Sequence, residues 1–393
     1  MASIFEPQIP SREKGTGSAT AANTIDKVLA TPPDLGEVLA LSRLNAMCEA
    51  VRRIYPPGAE LTIASDGLLF NDIIGVSDED TWAYGEALVA IIEEKGFAQN
   101  IKLARAMDLL GRHTGPVDKD TYLELASTCR NRLLAEYGRT EDEFRASMAV
   151  DDDTGRTVKG IKVFLRKDLE YTPMARALTS DEAYREYVET VAMAVMIRSE
   201  FFTDLIAARC PTAVRLSVHP STGSAKLTIP LVEIGRGRGR KSGKGLPRTP
   251  WHSVVAVDAT GKYSTPHAED VRQTHTLVRH PRHGRPYYYR TNSPLWDDPT
   301  CWNGDEVVFE PVYPRGLLVY PRSSSSQKTL SDEQISKLRA LARQYRGRVI
   351  VSGFTNAAAV LSAPAQNTDS DSSTSSALYQ FMLLCVFVFI IYW

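Results

Sequence analysis

Apolar residues recur three and four positions apart through DLGEVLALSRLNAMCEAVRRIY, residues 34–55, and this spacing predicts a helix. ELTIASDGLLFND, residues 60–72, reads as a strand followed by a loop. SDEDTWAYGEALVAIIEEKG, residues 77–96, predicts a second helix: Ser77 is placed to cap it, acids fill its first turn and Gly96 stops it. IKLARAMDLL and DKDTYLELASTCRNRLLAEYG continue the alternation, the latter capped by Asp118 or Asp120. A long helical pattern runs from Asp181 to Ala208. Strand signals then dominate from Ala213 to Tyr320, with turns at Gly223, Gly261 and Gly284. Strands alternating with helices, then a strand-rich half, predict an α/β core with an antiparallel extension. LSDEQISKLRALARQYRGRVIVSGF, residues 330–354, adds one capped helix and one strand.

Composition narrows the picture. The chain has 393 residues, 43% of them hydrophobic, and a formal charge of -1, so the surface as a whole is not that of a polyanion binder. Cys48, Cys129, Cys210, Cys301 and Cys385 are far apart and include no CxxC pair, which argues against a zinc knuckle or a disulfide scaffold and for reduced thiols in a cytoplasmic protein. Residues 1–35 form a polar lead without the apolar core of a signal peptide. A Ser/Thr-rich linker, residues 361–376, precedes the uncharged ALYQFMLLCVFVFIIYW of residues 377–393. At about 17 residues this tail sits at the short limit of a membrane span. It is a candidate C-terminal membrane anchor; the alternative is a tail fused by an altered reading frame.

The chemistry-bearing residues fall in a few stretches. Asp66 and Asp72, with Ser65 and Asn71, follow an apolar strand, and α/β sheets bind ligands beyond the carboxyl ends of their strands. Carboxylates there suit an ammonium or a proton transfer; the plainer alternative is an Asx-turn and a strand end. RLSVHPSTGSAKLTIPL, residues 215–231, reads as an antiparallel hairpin. Alternation puts Arg215, Ser217 and His219 on one face, Ser221 lies in the turn, and Lys226 opens the return strand. Arg and Lys can hold a phosphate or a carboxylate, and His moves protons near neutrality; the alternative is the polar outer face of an ordinary hairpin. His252 begins a strand beside Trp251, and Arg315 follows a Tyr-Pro turn. His267-Ala-Glu269 has the H-x-E form of an iron triad, but every later histidine is close by, which disfavours that reading. GRGRGRKSGKG, residues 235–245, is either a flexible loop between strands or a nucleic-acid contact. It does not match a P-loop.

SDGLLFNDIIGVSDEDTWAYGEAL, RLSVHPSTGSAKLTIPL, TPWHSVVAVD, HAEDVR and YPRGLLVYP, in that order, resemble the isocyanide (isonitrile) synthase family of pyoverdine/dityrosine biosynthesis, fungal type. The resemblance implies a synthase domain over residues 36–322 with a Rossmann-like core. It implies conversion of the α-amino group of an aromatic amino acid, tyrosine favoured, to an isonitrile. Ribulose 5-phosphate would be the carbon-donating co-substrate, with no metal or redox cofactor. N-formyl-tyrosine of the dityrosine spore wall is the alternative product; a nucleic-acid-binding role through the Gly/Arg loop is a lesser one, and no nucleic-acid partner is expected. In this light Arg215 clamps an anion, and Lys226 binds phosphate or carbonyl or donates a proton. His219 and His252 shuttle protons, Asp66 orients the substrate ammonium, and Asp72 is a further acid or base. Ser65, Asn71, Ser221 and Arg315 line the substrate. Residues 323–360 look like the start of a dioxygenase domain that stops short, which implies an iron/2-oxoglutarate dioxygenase acting in trans.

Overall fold

The computed structural model describes residues 29–111, 117–150, 152–217, 227–229, 231–232, 250, 253–293, 295–297, 299–302, 307–313, 316–322, 328–344, 348–360 and 388–392. Helix α1 (Leu35–Ile54) begins where the Asp34 carboxylate accepts from the Gly36 amide at 2.7 Å and Glu37 accepts from the Asp34 amide at 2.8 Å, a reciprocal cap. It leads into β1 (Glu60–Ser65), then α2 (Gly67–Ile74), α3 (Asp78–Glu94) and β2 (Ile101–Arg105). Ser77 caps α3 as its sequence predicts, accepting from the Asp80 amide at 3.0 Å.

Helices α4 (Ala106–Leu110), α5 (Lys119–Tyr137), α6 (Glu141–Val150), α7 (Asp152–Asp168) and α8 (Pro173–Ala177) lead to the long α9 (Asp181–Arg209). Asp118 caps α5, accepting from the Thr121 amide at 2.9 Å. Strands β3 (Val214–Ser217) and β4 (Leu227–Thr228) then complete one side of a five-stranded sheet of order β2-β1-β12-β3-β4, where β12 is Val388–Tyr392. β1 and β2 pair in parallel, as do β3 and β4; β12 is antiparallel to both of its neighbours. The α/β class expected from the pattern is present. The strand order is not that of a dinucleotide-binding sheet, because an antiparallel strand occupies its middle.

Two expectations change here. The stretch 215–231 is not an antiparallel hairpin: Leu216 stands opposite Leu227 in parallel register. Two parallel strands need a crossover between them, which a tight turn cannot supply. The apolar tail contributes a strand where an anchor was expected, and among the described residues no helix is long and apolar enough to cross a membrane.

The sheet separates two cores. Leu61 and Ile63 of β1 face one that includes α1; Ala64 faces another built on Leu68, Phe70, Tyr122, Phe144 and the α9 residues Val195, Phe201 and Phe202. The strand-rich half forms two smaller sheets. One contains β5 (Ala256–Val257), β6 (Tyr263–Ser264), β7 (Thr276–Arg279) and β8 (Pro286–Arg290), in the order β6-β5-β8-β7. The other is β11-β10-β9, from β9 (Val307–Val312), β10 (Gly316–Pro321) and β11 (Arg348–Val351). Each holds one parallel pair among antiparallel ones. The segment that reads as the start of a dioxygenase packs into the first core: β11 pairs with β10, and Leu338 and Leu341 of the helix Asp332–Gln344 are buried there.

Candidate functional site

β1, β2 and β3 run parallel, so their carboxyl ends share one edge of the sheet, with Ser65 opposite Arg105 and both Ala64 and Ser217 opposite Val388. Helices α1 and α3 run back along the strands they precede. Arg52, near the end of α1, donates to Asn100 just before β2 at 2.5 Å, which puts the start of α1 toward the carboxyl edge.

Asp66 follows β1 and occupies the cap position of α2, fully buried, with no side-chain cap bond to the helix. A Cβ on the residue after it, Gly67, would lie 2.8 Å from Thr81 Cγ2 of α3, so glycine spares a close approach between the two helices. Ser65 is half-buried beside it. Asp66 and Ser65 are therefore where the sequence places them, at a strand end.

The other two residues of that stretch are not. Asp72 and Asn71 lie inside α2 rather than in a loop. Asp72 accepts from Arg198 at 2.5 and 3.1 Å, and Arg130 stands 3.8 Å away. The Asn71 amide donates to Asp78 at 2.7 Å and to the Val76 carbonyl at 3.2 Å, and accepts from Arg130 at 3.3 Å. Burial pushes the Asp78 carboxyl up, but hydrogen bonds from Arg130 and Asn71 outweigh it and leave the group below its ordinary value. These residues fasten α2 to α3, α5 and α9. This network fixes both side chains among the helices, with Asp72 still partly exposed.

Arg215 in β3 is half-buried and feels the charge of Asp204 of α9. Burial lowers its affinity for a proton, and its buried Nε has no hydrogen-bond partner among the described residues. A guanidinium with an unspent donor fits the expected anion contact. His219, Ser221, Lys226, His252 and Arg315 lie outside the described residues, as does the Gly/Arg loop 235–245.

Four residues join this edge that sequence reasoning missed. Arg105 ends β2, its guanidinium 4.1 Å from the centroid of the Trp82 ring and ion-paired with Glu86. Its signal was legible as a cation closing a predicted strand. Asp34 and Glu37 form a buried acid pair, and Tyr84 of α3 donates to Glu37 at 3.0 Å. Burial, reinforced by Glu37, raises the Asp34 carboxyl well above its ordinary range; burial also raises Glu37. The pair abuts the segment that precedes Trp251 and His252, since a Cβ on Gly36 would lie 3.1 Å from Pro250 Cβ.

His267 precedes a one-turn helix, Ala268–Val271, where its amide donates to Asp270, and Glu269 is exposed. Among the described residues no three His, Cys, Asp or Glu side chains are grouped to hold a metal ion.

Residues 19–278 match the family model "Pyoverdine/dityrosine biosynthesis protein". Isocyanide synthase xanB of Aspergillus fumigatus is 39% identical over 342 residues, 84% of this chain and 43% of that protein. The chain thus spans less than half the length of that fungal relative. An L-tyrosine isonitrile synthase of Xenorhabdus nematophila is 30% identical over 67% of this chain and 72% of its own length. The spore wall maturation protein DIT1 of Saccharomyces cerevisiae is a more distant relative, 25% identical over 50% of the chain. The crystal structure of the PvcA protein from Pseudomonas aeruginosa superposes with a TM-score of 0.57 at 28% identity, covering 70% of this chain and 84% of that one. The chain belongs to the pyoverdine/dityrosine biosynthesis family, among isocyanide synthases.

Proposed function

We propose that this protein forms an isonitrile from the α-amino group of an aromatic amino acid, with tyrosine as the favoured substrate and ribulose 5-phosphate as the carbon donor. The observation that carries the reading is the carboxyl edge of the sheet. It combines a buried carboxyl, Asp66, with the cation Arg105, while Arg215 lies further back along β3, level with Thr62, in a chain whose relatives are isonitrile synthases. Besides the L-tyrosine isonitrile synthase, the L-tryptophan isonitrile synthase AmbI2 of Fischerella ambigua is 32% identical over 61% of this chain, and both names favour an aromatic substrate.

The opening step is imine formation: the amine nitrogen adds to the sugar ketone carbon, and the carbonyl oxygen leaves as water. Both substrates are anions through carboxylate or phosphate, so half-buried guanidiniums serve to hold them. Asp66 serves to orient the ammonium and accept its proton. His219, His252 and Lys226 carry the further proton transfers, with Ser65, Ser221 and Arg315 as substrate contacts. No metal or redox cofactor takes part in this scheme. A dioxygenase acting in trans would consume the product.

Incubation of the purified full chain with ribulose 5-phosphate labelled at C2 and each aromatic amino acid, followed by mass spectrometry, tests this. The expected product is heavier than the amino acid by the labelled carbon and lighter by two hydrogens. A product heavier by one carbon and one oxygen favours the formyl alternative. Labelled product from none of the aromatic amino acids would overturn the reading.

A further inference from the structure

β1 and β3 point the same way, yet they are not neighbours. Between them runs β12, opposite Leu61 to Ala64 on one side and Val214 to Ser217 on the other. We propose that this carboxyl-terminal strand is the internal spacer of the candidate active-site sheet, holding the β1 and β3 ends of the site two strand spacings apart. The role in catalysis rests on the function proposed above; the placement of the strand does not.

The composition suits the position. VFIIY consists of β-branched and aromatic residues, and a strand enclosed by neighbours in the centre of a sheet reads as a continuous apolar run. The same tail coiled as a helix of about 17 residues would reach about 25 Å, short of the ~30 Å hydrocarbon core of a bilayer. The strand also lies outside residues 19–278, the part matched to the family.

The geometry sets the consequence. Adjacent strands lie about 4.8 Å apart, so β12 keeps Ser65-Asp66 and Ser217 about 9.6 Å apart across the edge. Without it, two alternatives remain. The facing edges of β1 and β3 stay unpaired, or the two strands close on each other and halve that separation. Either change displaces groups that must converge on one substrate, and a shift of about 1 Å can cost about a hundredfold in rate.

The first test is a cross-link. Thr62 and Ile390 are register partners. Opposite residues of antiparallel strands have Cα atoms within disulfide range. The T62C/I390C protein should form an intramolecular disulfide under mild oxidation, and the out-of-register T62C/F389C protein should not. No disulfide above that control, or one formed only between two copies, would overturn the placement. This readout stands even if the wild type makes no isonitrile.

The second test is removal. Protein ending at Ser376 should lose turnover by about a hundredfold, and a peptide of residues 385–393 added in trans should restore it. Turnover equal to that of the full chain without the tail would overturn the spacer role. If the shortened protein fails to fold alone, refolding it with and without the peptide applies the same criterion.

Discussion

Ser65, the last residue of β1, stands in register with Arg105, the last residue of β2, so a hydroxyl and a guanidinium close two parallel strands side by side. Arg105 lies over the Trp82 ring and is balanced by Glu86. A guanidinium is planar and can hold a carboxylate or phosphate through two donors, which lysine does not reproduce. Arg105→Gln is expected to raise KM for the anionic substrate it holds by about tenfold or more, as loss of a charged hydrogen bond implies. Arg105→Lys should recover only part of this. Steady-state kinetics with each substrate varied in turn identify which anion is involved; unchanged KM for both would remove Arg105 from the site.

Asp66 offers a sharper separation of roles. Its carboxyl is buried and makes no cap bond to α2, so the isosteric Asp66→Asn should fold. Turnover should nevertheless fall by about 10²-fold or more if the carboxylate accepts a proton in the reaction. Near-wild-type turnover with an unchanged melting temperature would assign Asp66 to the helix start alone.

Asp72 should behave in the opposite way. Its partners are Arg198 and Arg130, and Arg198 also donates to the Leu69 carbonyl at 2.6 Å. Asp72→Asn removes the charge that these arginines face and should lower stability by about 1–3 kcal/mol. The turnover of the protein that remains folded should stay within a few-fold of wild type. Denaturant unfolding together with activity per folded molecule separates the two effects, and a large loss of turnover at full stability would return Asp72 to the chemistry.

The contrast between Asp66 and Asp72 shows what the sequence could convey. The strand before Asp66 and the rule about carboxyl ends were enough to locate it. Telling it from Asp72 required the arginines at 130 and 198, which come from α5 and α9 and leave no local mark. The caps at Ser77 and Asp118 were legible because they are made within four residues. The parallel pairing of β3 with β4 was not, since Pro-Ser-Thr-Gly carries the signature of a tight turn whatever the strands beside it do. The place of β12 was least legible, because its partners are 170 to 330 positions earlier in the chain and an apolar tail has the same composition in a sheet as in a bilayer.

Gly67 gives a test of packing around Asp66. A methyl group added there would collide with Thr81 Cγ2 at 2.8 Å, so Gly67→Ala should destabilise the protein by about 1–3 kcal/mol, the usual cost of overpacking. Thr81→Ser removes the obstructing methyl. The double variant Gly67→Ala/Thr81→Ser should therefore recover most of the loss, measured as a coupling energy in a double-mutant cycle. Strict additivity would mean that the glycine is needed for another reason.

The acid pair at the start of α1 makes stability depend on pH in a defined direction. In the folded protein the Asp34 carboxyl is raised well above its ordinary value by burial and by Glu37. The unfolded chain therefore gives up this proton first as pH increases. The stabilising preference for the neutral acid is complete below the unfolded value of about 3.9 and is lost as pH climbs through the folded one. Asn at position 34 caps a helix about as well as Asp, and its carbonyl can still accept from the Gly36 amide. Asp34→Asn should then match wild type in acid and become progressively more stable than wild type toward neutral pH, as thermal unfolding across that range would record. Unfolding curves separated by the same amount at every pH would mean that the Asp34 carboxyl binds its proton equally well in the folded and the unfolded chain, which its burial beside Glu37 argues against.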